Sequence, residues 1–151
     1  MASYSTPTIP FVVQLTGVNA LIHGQDDALI DDQIEERLES AEMEVRTMVT
    51  DTVMDSTSLT SVQVRALQEA VGWVVAALIG SRFLLELVTG THAPHVVAAP
   101  SDVRDMISTF RDNAKVIAKA VATGFGTEQA GSPGYFAEET PERTFTREMQ
   151  W

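Results

Sequence analysis

A chain of 151 residues with no cysteine and a formal net charge of −11 has room for one domain with a hydrophobic core, but it can form neither disulfides nor thiolate sites. The acidic balance argues against nucleic-acid binding, which needs a basic surface. No secretory signal is evident, and the longest uncharged apolar run, Ala70–Ser81, is shorter than the roughly 20 residues that span a bilayer. We therefore expect a soluble protein with no membrane partner.

The first 25 residues are predicted to form an extended N-terminal segment with a short strand at Ile9–Leu15. Pro10 would restrict that strand to a sheet edge, because proline lacks the amide hydrogen that a central strand donates. A single strand is unstable by itself. It should therefore pair with the C-terminal segment, another copy or another protein, and Phe11 within it is a candidate subunit-interface residue.

Residues 26–123 are predicted to form a helical bundle whose first helix begins near Asp31, a favourable N-cap. Apolar residues recur every three or four positions on one face of this helix: Ile30, Ile34, Leu38, Ala41, Val45 and Met48. The remaining face is almost wholly acidic, and its carboxylates are predicted to line a channel or face solvent: Asp31, Asp32, Glu35, Glu36 and Glu39. The Thr-, Ser- and Asp-rich stretch 50–58 should end the helix.

The second helix is predicted to start at a capping box formed by Thr60 and Gln63. It carries two apolar stripes, so we expect it to be the central helix, packed between others. Trp73 belongs to the second stripe and is interpreted as a core residue rather than a cofactor platform. Gly90 should end the helix.

The third helix is predicted to run from an N-cap at Ser101 to a stop at Gly124. Its apolar stripe repeats at steps of three and four: Val103, Ile107, Phe110, Ala114, Ile117 and Val121. Together the helices predict an all-α fold, a small bundle of three helices or of four if one more forms, with an extended arm at each end.

Residues 124–151 are predicted to be the C-terminal arm. This segment holds four glycines and two prolines, yet also half of the chain's ten aromatic residues. Aromatic side chains are favoured anchors at interfaces, and nothing within the segment would repay the entropy of ordering it. We therefore predict that the arm binds a partner through its aromatic residues: Phe125, Tyr135, Phe136, Phe145 and Trp151.

Arg82 falls where the first apolar stripe of the central helix would continue. It would either form an internal salt bridge with Glu86, one turn later, or contact a neighbouring subunit. The second interpretation is favoured, because an arginine in apolar surroundings needs a partner to satisfy it. Arg82 and Glu86 are therefore candidate subunit-interface residues.

No pattern indicates catalysis, a cofactor or a metal. The glycines at Gly124 and Gly126 follow a helix rather than a strand and lack the third glycine of a dinucleotide-binding loop. His92 and His95 lie in a loop with no third ligand marked by spacing. The acid pairs of the first helix face away from its apolar stripe, so they are expected to be solvated. The chain is not predicted to be an enzyme.

The order of elements resembles a known family. An acidic amphipathic helix, a Thr/Ser-rich break, an alanine-rich central helix, a loop and a third helix are similar to the head–tail connector (adaptor or head-completion) proteins of long-tailed double-stranded DNA viruses. The resemblance spans roughly residues 26–123. Two runs carry it: Asp31–Glu36 with Leu38 and Ala41, and Val64–Val71 with Trp73, Ala76 and Ala77.

This resemblance implies a ring, usually twelve-fold, below the portal of a DNA-filled head, and therefore a location in the neck of the virion after assembly in the host cytoplasm. The partners would be other copies of the chain, the portal protein and a tail or second neck protein. Genomic DNA would pass through the lumen without specific binding, repelled by the acidic face. The arms would reach neighbouring subunits and the portal.

Other interpretations stay open. A small acidic regulator that mimics DNA would explain the charge, but it would need no extended arms. A tail-completion protein would also form a ring, although such proteins tend toward β-rich folds. A helix-turn-helix regulator needs a basic recognition helix, and the third helix carries a net charge of only +1.

Overall fold

The computed structural model describes residues 1–18, 27–89 and 99–130. Within these ranges the chain is all-α and contains no strand, so the predicted all-α character is confirmed. The helices are α1 (Ile9–Thr16), α2 (Asp27–Val49), the short α3 (Asp51–Met54), α4 (Ser61–Thr89) and α5 (Pro100–Ala130).

The strand predicted at Ile9–Leu15 is wrong, because this segment forms α1. The Thr8 side chain accepts a hydrogen bond from the amide of Phe11 at 3.3 Å and so caps the helix. Pro10 lies in the first turn, where the missing amide hydrogen costs nothing. Gly17 ends the helix with a φ of 63°, a left-handed conformation that glycine adopts without strain. The proline that suggested an edge strand is therefore part of a helix start.

The residues before α1 lie against this chain's own helices. Ala2 exchanges two backbone hydrogen bonds with Leu59, at 2.8 and 2.9 Å. Gln68 of α4 donates to both the carbonyl oxygen and the hydroxyl of Ser5, at 3.0 and 3.1 Å. The N-terminal segment thus pairs with Leu59 and α4 of its own chain, and not as a strand with the C-terminal segment, another copy or another protein as expected.

Helix α4 is the central helix, as predicted, and α1, α2 and α5 all pack against it. Residues of both its stripes are fully buried, among them Leu67, Val71 and Val74 on one side and Ala70 and Ala77 on the other. The predicted stripes of α2 and α5 form the facing surfaces; their buried members are Ile34, Ala41, Val45, Val103, Phe110, Ala114 and Val121. Ile30 of the α2 stripe has a side chain outside the described part.

Two contacts of α4 depend on the size of its residues. Trp73 stacks on Phe110 of α5 with ring centroids 5.6 Å apart, which agrees with its interpretation as a core residue. Gly72 faces α1, where an added Cβ would lie 2.9 Å from Leu15 Cδ2. The absence of a side chain at Gly72 therefore lets α1 approach α4 closely.

By length and composition alone, the segment Ser61–Leu85 of α4 would be long and apolar enough to cross a membrane. More than half of its most apolar stretch is, however, buried inside the bundle. Packing against the chain's own helices therefore accounts for the apolar character of α4.

The ends of the helices agree with some predictions and correct others. The capping box is confirmed, since the Thr60 amide donates to Gln63 Oε1 at 2.8 Å and the Gln63 amide donates to Thr60 Oγ1 at 3.1 Å. Helix α2 begins at Asp27, so the predicted start near Asp31 is wrong, but it ends at Val49 as expected, and Thr50, with φ of 88°, leads into α3. Gly90, the predicted stop of α4, lies outside the described residues.

The predicted limits of the third helix are wrong at both ends. Helix α5 begins at Pro100 rather than after an N-cap at Ser101, because proline is favoured in the first helical position. It does not end at Gly124 but continues to Ala130, so the predicted boundary between bundle and arm is too early. Gly17 is the only glycine with a positive φ among the described residues, so Gly124 does not act as a left-handed stop.

Replacing Gly124 with alanine should therefore raise the free energy of unfolding by about 0.5–1 kcal/mol, because alanine loses less backbone entropy within a helix. An added Cβ at this position meets no atom within 4 Å. Urea denaturation of the two full-length chains measures the difference. A decrease in stability would instead indicate that α5 ends at Gly124 in a left-handed conformation.

Candidate functional site

The first half of α2 presents the acidic face expected from the sequence. Its carboxylates from Asp31 to Glu39 are all exposed and lie on the parts of the helix surface that the buried Ile34, Ala41 and Val45 leave free. The row spans about 12 Å along the helix, at 1.5 Å per residue. We call these residues the carboxylate row: Asp31, Asp32, Glu35, Glu36 and Glu39.

The carboxylate row is scarcely neutralised. Within the described ranges one salt bridge reaches it, between Arg37 and Glu36 at 3.7 Å. That pair lies at the surface and is worth under about 1 kcal/mol. The row is therefore a negative surface available to whatever molecule comes near it.

Carboxylates in the second half of α2 have a different role, because they hold the fold together. Glu42 accepts hydrogen bonds from the hydroxyl of Tyr4 at 2.6 Å and from that of Thr6 at 2.8 Å. Glu44 forms a half-buried salt bridge with Arg111 of α5. The first contact fixes the N-terminal segment on α2, and the second fixes α2 on α5.

Burial is the main cause that raises the pKa of the Tyr4 hydroxyl above its ordinary value of 10.0. The hydrogen bond to Glu42 and the negative charge of that carboxylate raise the pKa further. Tyr4 therefore stays protonated and continues to donate its hydrogen bond well into the alkaline range.

Arg46 links the end of α2 to α3. Its guanidinium contacts Asp51 at 3.1 Å and Asp55 at 2.9 Å. The hydrogen bonds to Asp55 and Asp51 raise the pKa of Arg46. These two aspartates belong to the same acid-rich stretch of sequence as the carboxylate row, but their charge is partly balanced by Arg46.

Arg82 does not lie in the apolar environment that the sequence suggested. Its side chain is exposed, although the next residue, Phe83, is buried in the core. Leu85 and Val88 are 59% and 60% exposed on the same part of the helix. Glu86 has a side chain outside the described part, so the role of Arg82 and Glu86 at a subunit interface stays a prediction.

Phe11 is half-buried and packs against the chain's own core. The guanidinium of Arg65 lies over its ring, 4.6 Å from the centroid, in cation–π geometry. Phe11 thus has intramolecular neighbours, and its role at a subunit interface also stays a prediction.

The aromatic residues of the predicted C-terminal arm are mostly beyond the described residues. Phe125 lies on α5, but its side chain is outside the described part. The others lie wholly outside it: Tyr135, Phe136, Phe145 and Trp151. Their binding to a partner stays a prediction.

An apolar groove that the sequence did not predict lies between the start of α4 and the part of α5 from Val116 to Gly124. Its cavity volume is about 520 Å³. Val62 and Ala66 line it on α4, and Val116, Ala120 and Gly124 line it on α5. Val62 and Val116 are 75% and 68% exposed. Both valines fall outside the predicted apolar stripes. An apolar residue outside the stripe of each helix is the sequence feature that could have indicated the groove.

No chemistry for catalysis is visible in the described part of the chain. Within it no three histidine, aspartate or glutamate side chains are grouped so that they could hold a metal ion. All three histidines, His23, His92 and His95, lie outside the described residues. The absence of a cofactor and of an enzymatic activity therefore stays a prediction.

Comparison with known proteins gives no matching family model, no similar curated protein and no similar solved structure. The resemblance to head–tail connector proteins accordingly depends on the sequence pattern alone.

Proposed function

We propose that this chain is a structural head–tail connector, a subunit of a ring that sits below the portal of a DNA-filled virus head, extends the DNA channel and provides the surface on which the tail assembles. The carboxylate row is the observation that supports this function best. In a ring of such subunits, rows that faced the lumen would give the channel a continuous negative wall.

A negative wall suits a channel that must conduct DNA without retaining it. DNA carries one negative charge per about 1.7 Å of its axis, so it is repelled by a wall of like charge. At physiological ionic strength this repulsion acts over about 8 Å. It therefore operates where the DNA comes close to the wall and keeps the duplex mobile.

The charges of the row are not needed for the fold, which supports a functional reason for them. Glu35 lies four residues from both Asp31 and Glu39, and like charges at this spacing destabilise a helix by about 0.2–0.5 kcal/mol per pair. The helix dipole would offset this repulsion only for carboxylates in the first turn. Because α2 begins at Asp27, the row lies beyond that turn. The carboxylates that stabilise the fold are others, Glu42 and Glu44.

The direct test is electron microscopy of the native complex purified from its source through a tag on this chain. We expect a cyclic ring stacked on a second ring, with α2 facing the lumen. A compact one-to-one complex with a basic protein would contradict the connector function and favour a DNA mimic, the second candidate that an unneutralised carboxylate row supports.

Neutralising part of the row should make the assembled ring retain DNA. In the variant D31N/E35Q/E39Q the bundle should fold and the ring should form, because these side chains make no described contact with other helices. Its non-specific affinity for double-stranded DNA should rise at least about threefold at low salt and the difference should vanish at high salt, since the wall acts through screened repulsion. Filter binding at several salt concentrations measures this.

The matched control removes the same charge from another helix. Asp102, Asp105 and Asp112 are exposed on α5, so D102N/D105N/D112N changes the net charge equally without touching the row. An equal rise in DNA affinity for both variants would mean that net charge alone matters, and would argue against a channel-lining role of α2.

A further inference from the structure

We propose that the apolar groove between α4 and α5 is the docking site of the aromatic pair Tyr135–Phe136 of the same chain. This inference does not depend on the connector function. It follows from the exposure of the groove, from the course of the chain beyond α5 and from the sequence of the segment that follows.

The groove needs an apolar occupant. Val62 and Val116 stand on its two sides and are the most exposed of the large apolar residues in the described part apart from Met1. Ala66 and Ala120 also line the groove, and their small side chains leave space in it. Aromatic side chains are suited to such a site, because they bury a large area and lose little rotamer entropy.

The chain passes close to the groove as it leaves the bundle. Gly124 lines one end, and α5 continues from there for six residues to Ala130, a rise of about 9 Å. Tyr135 follows five residues later; five residues would span about 17 Å if fully extended, and with a turn among them they still cover the roughly 9 Å back to the Gly124 end of the groove. The return path from Ala130 to the groove is therefore short enough for Tyr135.

The sequence between Ala130 and Tyr135 favours a reversal of the chain. Gly131 directly follows the last residue of α5, where glycine commonly ends a helix. Pro133 and Gly134 are the residue types that a type II turn prefers at its two central positions. A reversal at this point directs Tyr135 and Phe136 back along α5 toward the groove.

The short tether also decides between this chain and a second copy. An intramolecular segment on a short linker has an effective concentration in the millimolar range, far above that of a second copy in dilute solution. Fifteen residues remain beyond Phe136, enough to reach up to about 50 Å when extended. Phe145 and Trp151 are thus left available for the partner that the arm is predicted to bind.

Disulfide trapping in the full-length chain tests the proposal. Because the chain has no native cysteine, only the two introduced thiols can react. The variant V116C/A137C places one thiol in the groove and one beside the aromatic pair, which stays intact. Its control, K115C/A137C, places the first thiol one residue away, on an exposed side of α5 that does not line the groove. The two positions differ by only one residue, a rise of about 1.5 Å along the helix, so tethering alone would link them at similar rates.

We expect oxidation of dilute protein to give an intramolecular disulfide at least about tenfold faster in V116C/A137C than in the control. Adding Y135S/F136S to the first variant should reduce its rate to that of the control, because the anchors are gone. Equal rates in the two cysteine pairs, or an unchanged rate after Y135S/F136S, would overturn the proposal. A cross-linked dimer as the main product would also overturn it, since the occupant would be a second copy. None of these results depends on ring formation.

Discussion

Replacing Leu67 with alanine should lower the free energy of unfolding by about 2–5 kcal/mol, because the residue is fully buried in the centre of the bundle. The loss combines the transfer of the missing methyl groups with the cavity that the surrounding helices cannot close. Leu67 lies on α4, which packs against α1, α2 and α5, so relaxation of one helix would disturb the others. Urea denaturation followed by circular dichroism measures the change.

The matched control is Leu85→Ala, the same substitution near the other end of α4. Leu85 is 59% exposed, so we expect its replacement to change the free energy of unfolding by no more than about 0.5 kcal/mol. Leucine and alanine are both good helix formers, so the two substitutions change helix propensity equally and differ in the burial of the leucine that is replaced. Similar losses at the two positions would mean that α4 is not the central helix, or that its C-terminal part is buried in solution.

Replacing Tyr4 with phenylalanine should cost about 1–3 kcal/mol at neutral pH, since Glu42 then loses a hydrogen bond from a half-buried donor. The same variant should alter the response to alkali. In the folded chain the pKa of Tyr4 is raised above 10.0, so the folded state keeps a proton that the unfolded state releases above about pH 10. The stability that Tyr4 contributes is thus complete below pH 10 and decreases as the pH rises further.

Denaturation at several pH values between 8 and 11 tests this. The difference in free energy of unfolding between the original chain and Y4F should become smaller above pH 10. Thr6→Val is the control, because Thr6 also donates to Glu42 but carries no group that titrates in this range. The difference in free energy of unfolding between this variant and the original chain should stay constant over the same pH range. If the difference between Y4F and the original chain is also constant over this range, the Tyr4 hydroxyl does not donate to Glu42 in solution.

Local patterns in the sequence were enough to predict much of the bundle. The described residues of the stripes ending at Met48 on α2 and at Val121 on α5 are buried or half-buried as expected, because periodicity alone decides which face of a helix can meet a core. The capping box at Thr60 was equally predictable, since both of its hydrogen bonds join residues three positions apart.

Signals with two physical meanings were misjudged. Pro10 suits both an edge strand and the first turn of a helix, and its role was settled by Thr8 as cap and by the packing of the fully buried Val12. Gly124 is favoured at a helix end and only tolerated in a helix interior, yet α5 continues through it. A single residue cannot resolve such choices, because tertiary packing contributes more free energy than local propensity.

The helical class, the central position of α4 and the exposure of the carboxylate row could all be predicted, because each follows from the spacing of apolar and charged residues along one helix. Which carboxylates of α2 stabilise the fold, and where the apolar groove lies, depends instead on how the helices pack together. Glu42 meets Tyr4 across 38 positions of sequence, and Glu44 meets Arg111 across 67. The groove is likewise formed by two helices whose facing residues lie more than 45 positions apart. Contacts of this kind depend on how the helices are placed against one another, and no periodicity within one helix contains that information.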